Sequence, residues 1–193
     1  RTFPEAAVPV LDEAAFRASY AGFLRQDGAG ADPAWLCSLY CVFLLARPFA
    51  HVGREPPPGV EDASSSSSWW RRVRGLLPAV LLASTPAAVA ALLLAAAHLN
   101  HTNRRDACWT LTGAAARIAV AVGLHRPAAV APADDDDDTD DAPGSWARRR
   151  RRRRYLDALW WALCHFERLQ AASLDRPSAL AEASVPVPAS PER

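Results

Sequence analysis

Apolar residues recur along this chain at helical spacing, and helix starts and stops frame them. Asp12 reads as the N-cap of a first helix running through Leu24, with Phe16, Tyr20 and Phe23 as its apolar stripe. A second starts from Asp32 as cap with Pro33 in its first turn, and carries Leu36, Leu39, Tyr40, Phe43 and Leu44. Thr85-Pro86 repeats the cap-plus-proline start for a third, which runs through Leu92, Leu93 and Leu94. A fourth opens near Asn103, with Asp106 in its favourable first turn. Its stripe is Cys108, Leu111, Ala115, Ile118 and Val122, and Gly123 is its stop. The fifth is capped by Ser145 and extends to about Ser173, with Leu156, Leu159, Leu163 and Phe166 on one face. β-branched residues are sparse, Ile118 being the only Ile, so pattern and propensity agree on an all-α chain.

Between these helices the pattern fails in three low-complexity stretches. Val52 to Ser68 holds Pro56-Pro57-Pro58 and five consecutive Ser, and reads as a flexible loop because it buries too little apolar area to offset ordering. Ala128 to Ser145 holds Asp134 to Asp138, Asp140 and Asp141, whose mutual repulsion predicts a second disordered loop. Ser184 to Arg193 is a Pro-rich tail. Gly75 to Ala97 is the opposite case, a run without a charge that is long enough to span a bilayer. Pro78, Ser84, Thr85 and Pro86 break it in two, and Ala contributes little transfer energy, so a buried helix pair in a soluble core is the favoured reading. A membrane-associated helical protein with residues 75–97 embedded and its basic block on anionic lipid is the alternative.

Composition sharpens this picture. At 193 residues the chain suits one domain or at most two small ones, and its hydrophobic half is dominated by 41 Ala. All 22 basic residues are Arg, and Lys and Met are absent. Without Met, and opening on Arg1, the chain reads as a processed or truncated piece, and no signal peptide is visible. A net charge of +1 excludes a polyanion binder argued from net charge alone, so the distribution of charge decides. Arg148, Arg149, Arg150, Arg151, Arg152, Arg153 and Arg154 form one block and the Asp run the other. The basic block reads either as a nuclear-import or anion patch, or as a solvated first turn neutralised by the acids upstream. Ringing a helix, some of these guanidinium groups must point toward the core side or toward acids.

Candidate chemistry is thin. The four Cys (37, 41, 108 and 164) are too few and scattered for a disulfide scaffold and read as small buried apolar groups in a reduced intracellular setting. Cys37 and Cys41 share a helical face, yet nearby sequence offers no further zinc ligands at short spacing, so packed core thiols are favoured over a metal pair. His98 and His101 could share a metal, but a helix C-terminus explains two His as well, and no metalloprotease spacing follows. There is no glycine-rich phosphate loop, nucleophile elbow or HExxH, so the reading is not an enzyme, with no catalytic residue and no cofactor or metal held by this chain.

Several segments nevertheless form a specific series. Ala107-Cys108-Trp109-Thr110-Leu111-Thr112-Gly113-Ala114-Ala115-Ala116-Arg117-Ile118-Ala119 is followed by Val122-Gly123-Leu124-His125-Arg126. Then come Arg152-Arg153-Arg154 to Trp160-Trp161, Leu174-Asp175-Arg176-Pro177 and Val185-Pro186-Val187-Pro188. In order, these resemble the middle homology region of fungal zinc-cluster (Zn2Cys6) transcription factors: a Gly and small residues before "R-I-A", "GLHR", an "RRR…WW" helix, a "GRP" turn and a closing "D-V-P-L-P". Phe3-Pro4 through Phe16 and Tyr20 resembles the family's opening helix, and Leu92 to Leu94 sits where its Leu-rich helix belongs. The likeness covers nearly the whole chain and is distinctive from Leu92 to Pro188. The chain departs from it at Asp175, which stands where the family has Gly, in the length of its Arg run and in the Asp insertion.

The motif residues also have physical roles without the resemblance. Gly113 inside a helix costs about 1 kcal/mol relative to Ala, for which close approach of another helix is the expected reason. Gly123, Leu124, His125 and Arg126 read as a helix stop, an anchoring Leu, and two side chains turning back on helix-end carbonyls. Trp160 and Trp161 would knit two helix faces, and Arg176 before Pro177 would hold carbonyls or a carboxylate at a rigid turn. All are structural roles, which suits a regulatory scaffold.

The resemblance implies residues 1–193 are the N-terminal part of a regulatory domain that controls RNA polymerase II transcription in the nucleus. Four Cys cannot build a two-zinc, six-thiolate cluster, so it implies zinc and DNA are bound by a separate N-terminal module of the full-length protein. The expected mechanism is a bistable scaffold of Leu92 to Leu124 and Tyr155 to Leu174, biased by a metabolite or co-regulator.

Overall fold

A computed structural model describes residues 10–25, 28, 30–47, 62–126 and 145–180. Within them the chain forms α1 (Glu13–Arg25), α2 (Pro33–Ala46), α3 (Asp62–Leu82), α4 (Pro86–His101), α5 (Arg105–Ala121) and α6 (Ser145–Ser173), and no strand. The fold is all-α. The Pro56-Pro57-Pro58 segment, the Asp134 to Asp141 block, Phe3-Pro4, Val185 to Pro188 and the Pro-rich tail lie outside the described residues.

The start signals act as their chemistry demands. Asp12 accepts the N–H groups of Ala14 and Ala15 at 3.1 and 3.2 Å, Asp32 accepts Trp35 N–H at 2.8 Å, and the Thr85 hydroxyl accepts Ala88 N–H at 3.2 Å. Each satisfies a donor that the first helical turn leaves without a partner.

Three helices end in the same way. Asn103, Gly123 and Asp175 take left-handed φ of 58°, 79° and 51° after α4, α5 and α6. In each case the next residue's N–H reaches back to a carbonyl five positions earlier: Arg104 to Leu99 (2.8 Å), Leu124 to Ala119 (2.9 Å) and Arg176 to Ala171 (2.9 Å). This is the Schellman arrangement. Asn103 is therefore the stop of α4, and α5 opens just after it, close to where the sequence places its start, with Arg104 as an N-cap that makes no side-chain cap bond. Asn serves at both kinds of position, and the positive φ decides which.

α3 departs most from expectation. It begins at Asp62, so the serine run assigned to a loop is helical, continuous with Trp69 and Trp70, which pack against the core. Pro78 lies inside α3 and does not end it. Pro78, Gly75 and Arg74 are all exposed, so the carbonyl that Pro78 leaves without a donor is open to water. The apolar run breaks instead between Leu82 and Pro86, and no helix among the described residues is long and apolar enough to cross a membrane.

α4 is the hub. Ala88 to Leu93, Ala95, Ala96 and Leu99 are all buried, so it is apolar nearly all round, as a central helix must be. It packs on α2, α3, α5 and α6. Its alanines let those neighbours approach closely, and the larger volume comes from Val73 and Val80 of α3, Leu159, Trp160 and Leu163 of α6, and Cys37 and Cys41 of α2. α1 has no buried residue. It is held through Phe16 and Phe23, whose rings lie 5.7 and 5.3 Å from Trp35, whereas Tyr20 of its predicted stripe is exposed.

Candidate functional site

The predicted site residues fall in three places, beginning with α5. Among the described residues a Cβ on Gly113 would meet only the Arg117 guanidinium, at 3.3 Å, so none of the described helices approaches it. The expected helix contact is replaced by a local one: Arg117 Nη1 folds back to donate to the Gly113 carbonyl at 2.9 Å. At the end of α5, Gly123 provides the left-handed stop and Leu124, 6% exposed, plugs into the core. The helix-end carbonyls are taken by the backbone N–H groups of Gly123 and Leu124, not by His125 or Arg126 side chains. The His125 ring lies 6.2 Å from Trp160, and its Nδ1 is buried without a hydrogen-bond partner among the described residues.

The second place is the C-terminal half of α6 and the turn after it. Trp160 is 1% exposed in the core, and Trp161 is half-buried with its Nε1 unpartnered among the described residues. Asp175 adopts the left-handed conformation for which Gly is better suited. Arg176 then reaches back to the first turn of α5, where Nη2 donates to Asp106 and the guanidinium lies 4.9 Å from the Trp109 ring centre. Pro177 is exposed beside it. Glu167, which sequence reasoning passed over, closes this turn. It is 2% exposed and accepts the Ser178 hydroxyl and the Ala179 N–H, both at 2.7 Å. The only sequence signal was a carboxylate amid the apolar positions of α6.

The arginine block makes the third. Arg148, Arg149, Arg150, Arg151, Arg152 and Arg154 are exposed and Arg153 is half-buried. Arg151 donates to Asp12 at 2.6 Å, and Arg153 donates to the Arg126 carbonyl at 2.6 Å. Arg153 Nε also faces Asp157 at 3.0 Å, an ion pair whose geometry falls short of a hydrogen bond. The block thus ties the start of α1 and the turn after α5 onto α6. The Tyr155 hydroxyl adds a bond to the Val10 carbonyl at 3.2 Å. Burial, and then the nearby Asp12 charge, push the Tyr155 phenol up to about 12. Burial pushes the Asp12 carboxyl up, but the Ala15 N–H, the Arg151 guanidinium and the Ala14 N–H outweigh it and hold the group below its ordinary value.

Two adjoining cavities open here. One of about 370 Å³ is walled by Pro86 at the start of α4, Gly123 and Leu124 after α5, and Arg126, Arg152 and Arg153. A wider one of about 740 Å³ lies toward α1, walled by Asp12, Ala87, Arg148, Arg151 and Tyr155. Pro86, Arg152 and Leu156 line both. Sequence reasoning found the arginines but not the cleft, because Thr85-Pro86, Gly123 and Asp12 come together only in the fold.

The other candidates resolve into packing. Cys37 and Cys41 are fully buried side by side. The neighbouring Cys37 sulfur, and then burial, push the Cys41 thiol up, and burial pushes Cys164 up to about 11. His98 packs against Trp70 with ring centroids 4.8 Å apart and planes tilted by 38°, and burial followed by the His101 and Arg104 charges lowers its basicity. Among the described residues no group of three or more His, Cys, Asp or Glu side chains could hold a metal ion.

Compared with known proteins, the chain matches the family model described as the fungal specific transcription factor domain, over residues 8–192. No curated protein and no solved structure matches it.

Proposed function

This chain belongs to the fungal specific transcription factor domain family, and we propose that it is the regulatory part of a zinc-cluster transcription factor acting in the nucleus on RNA polymerase II promoters. The observation that carries the proposal is the family match, which runs through all six described helices. The family is regulatory and non-enzymatic. In this reading DNA and zinc are bound by a separate N-terminal module, and the helices described here report a signal to it. We further propose that α4, α5 and α6, which pack on one another, form a scaffold with two arrangements that a metabolite or co-regulator biases by binding one of them better.

Tethering the chain to an unrelated DNA-binding domain upstream of a reporter tests this. The expected result is a reporter level that differs from that of the DNA-binding domain alone; an unchanged level in a fungal host that expresses the fusion overturns it. The zinc module has its own test in the parent transcript upstream of Arg1. Two Cys-x-x-Cys pairs and two further Cys within roughly 30 to 40 residues are expected there.

A further inference from the structure

We propose that the cleft between the start of α4, the turn after α5 and the arginine half of α6 binds a small organic polyanion, through its carboxylate or phosphate groups, as the signal this domain senses. The inference rests on the regulatory reading for the word "signal" but on the geometry alone for the site. Arg126, Arg152 and Arg153, the last also engaged by the Arg126 carbonyl and Asp157, line the inner cavity of about 370 Å³, a volume within the range that holds a metabolite. Arg148 and Arg151 line the adjoining outer cavity. Among the described residues lining either cavity, Asp12 is the one carboxylate, and it already accepts Arg151 and two backbone N–H groups.

The cleft has a second source of positive potential. The N-terminus of α4 opens onto it at Pro86 and Ala87, and helix geometry leaves the Ala87 N–H without an intrahelical partner. A guanidinium fork matches carboxylate and phosphate oxygens in pairs, which a point charge cannot do. Leu124, Leu156 and Pro86 give the same walls an apolar component, so a ligand with a short carbon body fits better than a bare inorganic ion. An anion here would touch α4, the turn after α5 and α6 at once. Those are the elements whose relative arrangement a sensor must fix, and Arg153 already bonds the Arg126 carbonyl across the same junction.

The test is thermal unfolding of the whole chain with citrate or inorganic phosphate against sodium chloride at matched ionic strength. Arg126→Ala and Arg152→Ala probe the inner cavity. Arg168→Ala, an exposed α6 position away from the cleft, removes the same charge as a control. The expected result is a saturable rise in midpoint with citrate, roughly 5–10 °C at 100 times the dissociation constant, weaker with phosphate. It should be lost in Arg126→Ala and Arg152→Ala and kept in Arg168→Ala, with each variant retaining a cooperative melt. No rise, or a rise that follows ionic strength equally in all variants, overturns the proposal. So does a saturable response to a short DNA duplex without one to citrate, which would make the basic block a phosphate-backbone surface. Citrate binding with an inert tethered reporter would leave the site standing and remove the regulatory reading; an active reporter without anion binding would do the reverse.

Discussion

The arginine half of α6 and its tryptophan half belong to one continuous helix, yet different physics holds each of them. From Leu159 to Ala171 the helix is fastened by volume: Leu159, Trp160 and Leu163 are at most 1% exposed, and Glu167 is sealed beneath the turn that follows. From Arg148 to Tyr155 it is fastened by individual polar contacts at its surface, to Asp12, to the Arg126 carbonyl and to Val10. Burial of a large side chain is hard to undo and insensitive to salt, whereas a surface ion pair is weak and screened. The comparison therefore assigns stability to one half and adjustability to the other, and the cleft lies on the adjustable side.

The strongest challenge to that division is Trp160→Ala. Losing a fully buried indole beside His125 and the α4 core should cost about 3–5 kcal/mol, read as a lowered denaturant midpoint. A cost no larger than that of truncating an exposed arginine would break the comparison. Glu167→Ala comes next, at about 2–3 kcal/mol, because it removes the acceptor from the Ala179 N–H and from the Ser178 hydroxyl at once. Hydrogen exchange should report this loss locally, with the Ala179 amide losing protection before those of α4. A uniform loss of protection would mean that Glu167 supports the whole core and not this turn.

What could be read from the sequence follows the range of the interactions. Asp12, Asp32 and Thr85 act three residues ahead of themselves, so cap chemistry was visible without a fold. The apolar stripes of α2, α5 and α6 were visible for the same reason. That Asn103 ends α4 is not legible until its φ is known, and the start of α3 is not because a serine run says nothing of the two tryptophans that hold its continuation in place. Gly113 looked like a contact point, yet the contact is an arginine four residues along its own helix. The partners of Glu167 were out of reach because its turn is built after the helix ends. The cleft was least legible of all: Arg151 meets Asp12 across 139 residues, and no periodicity encodes that.

Smaller effects probe the adjustable half. Tyr155→Phe removes only the hydroxyl that donates to Val10, for a cost of about 1 kcal/mol. Its pH signature is more telling than its size. Because folding raises this phenol to about 12, its contribution is complete below the ordinary value of 10.0 and is lost as pH rises from there through about 12. A tyrosinate absorbance titration of the native protein should show a late component that Tyr155→Phe lacks.

Asp12→Asn should have the least effect and separates two roles of one side chain. Asn caps a helix as well as Asp does, so α1 keeps its start while the charge facing Arg151 is lost. With the Arg151 side chain 58% exposed, the pair is worth roughly 0.2–1 kcal/mol and should fade as salt is added. Asp12 is held below its ordinary 3.8, so its contribution is present above that pH and is lost as pH falls through its lower folded value. The variant should lack that acid component. A double-mutant cycle with Arg151→Ala isolates the pair. A positive coupling at low salt that vanishes at high salt makes the basic half of α6 the adjustable clasp on α1. A coupling of zero throughout would hand the docking of α1 to Tyr155 and to Phe16 and Phe23 on Trp35, contacts of the same apolar and neutral kind that hold the rest of the core.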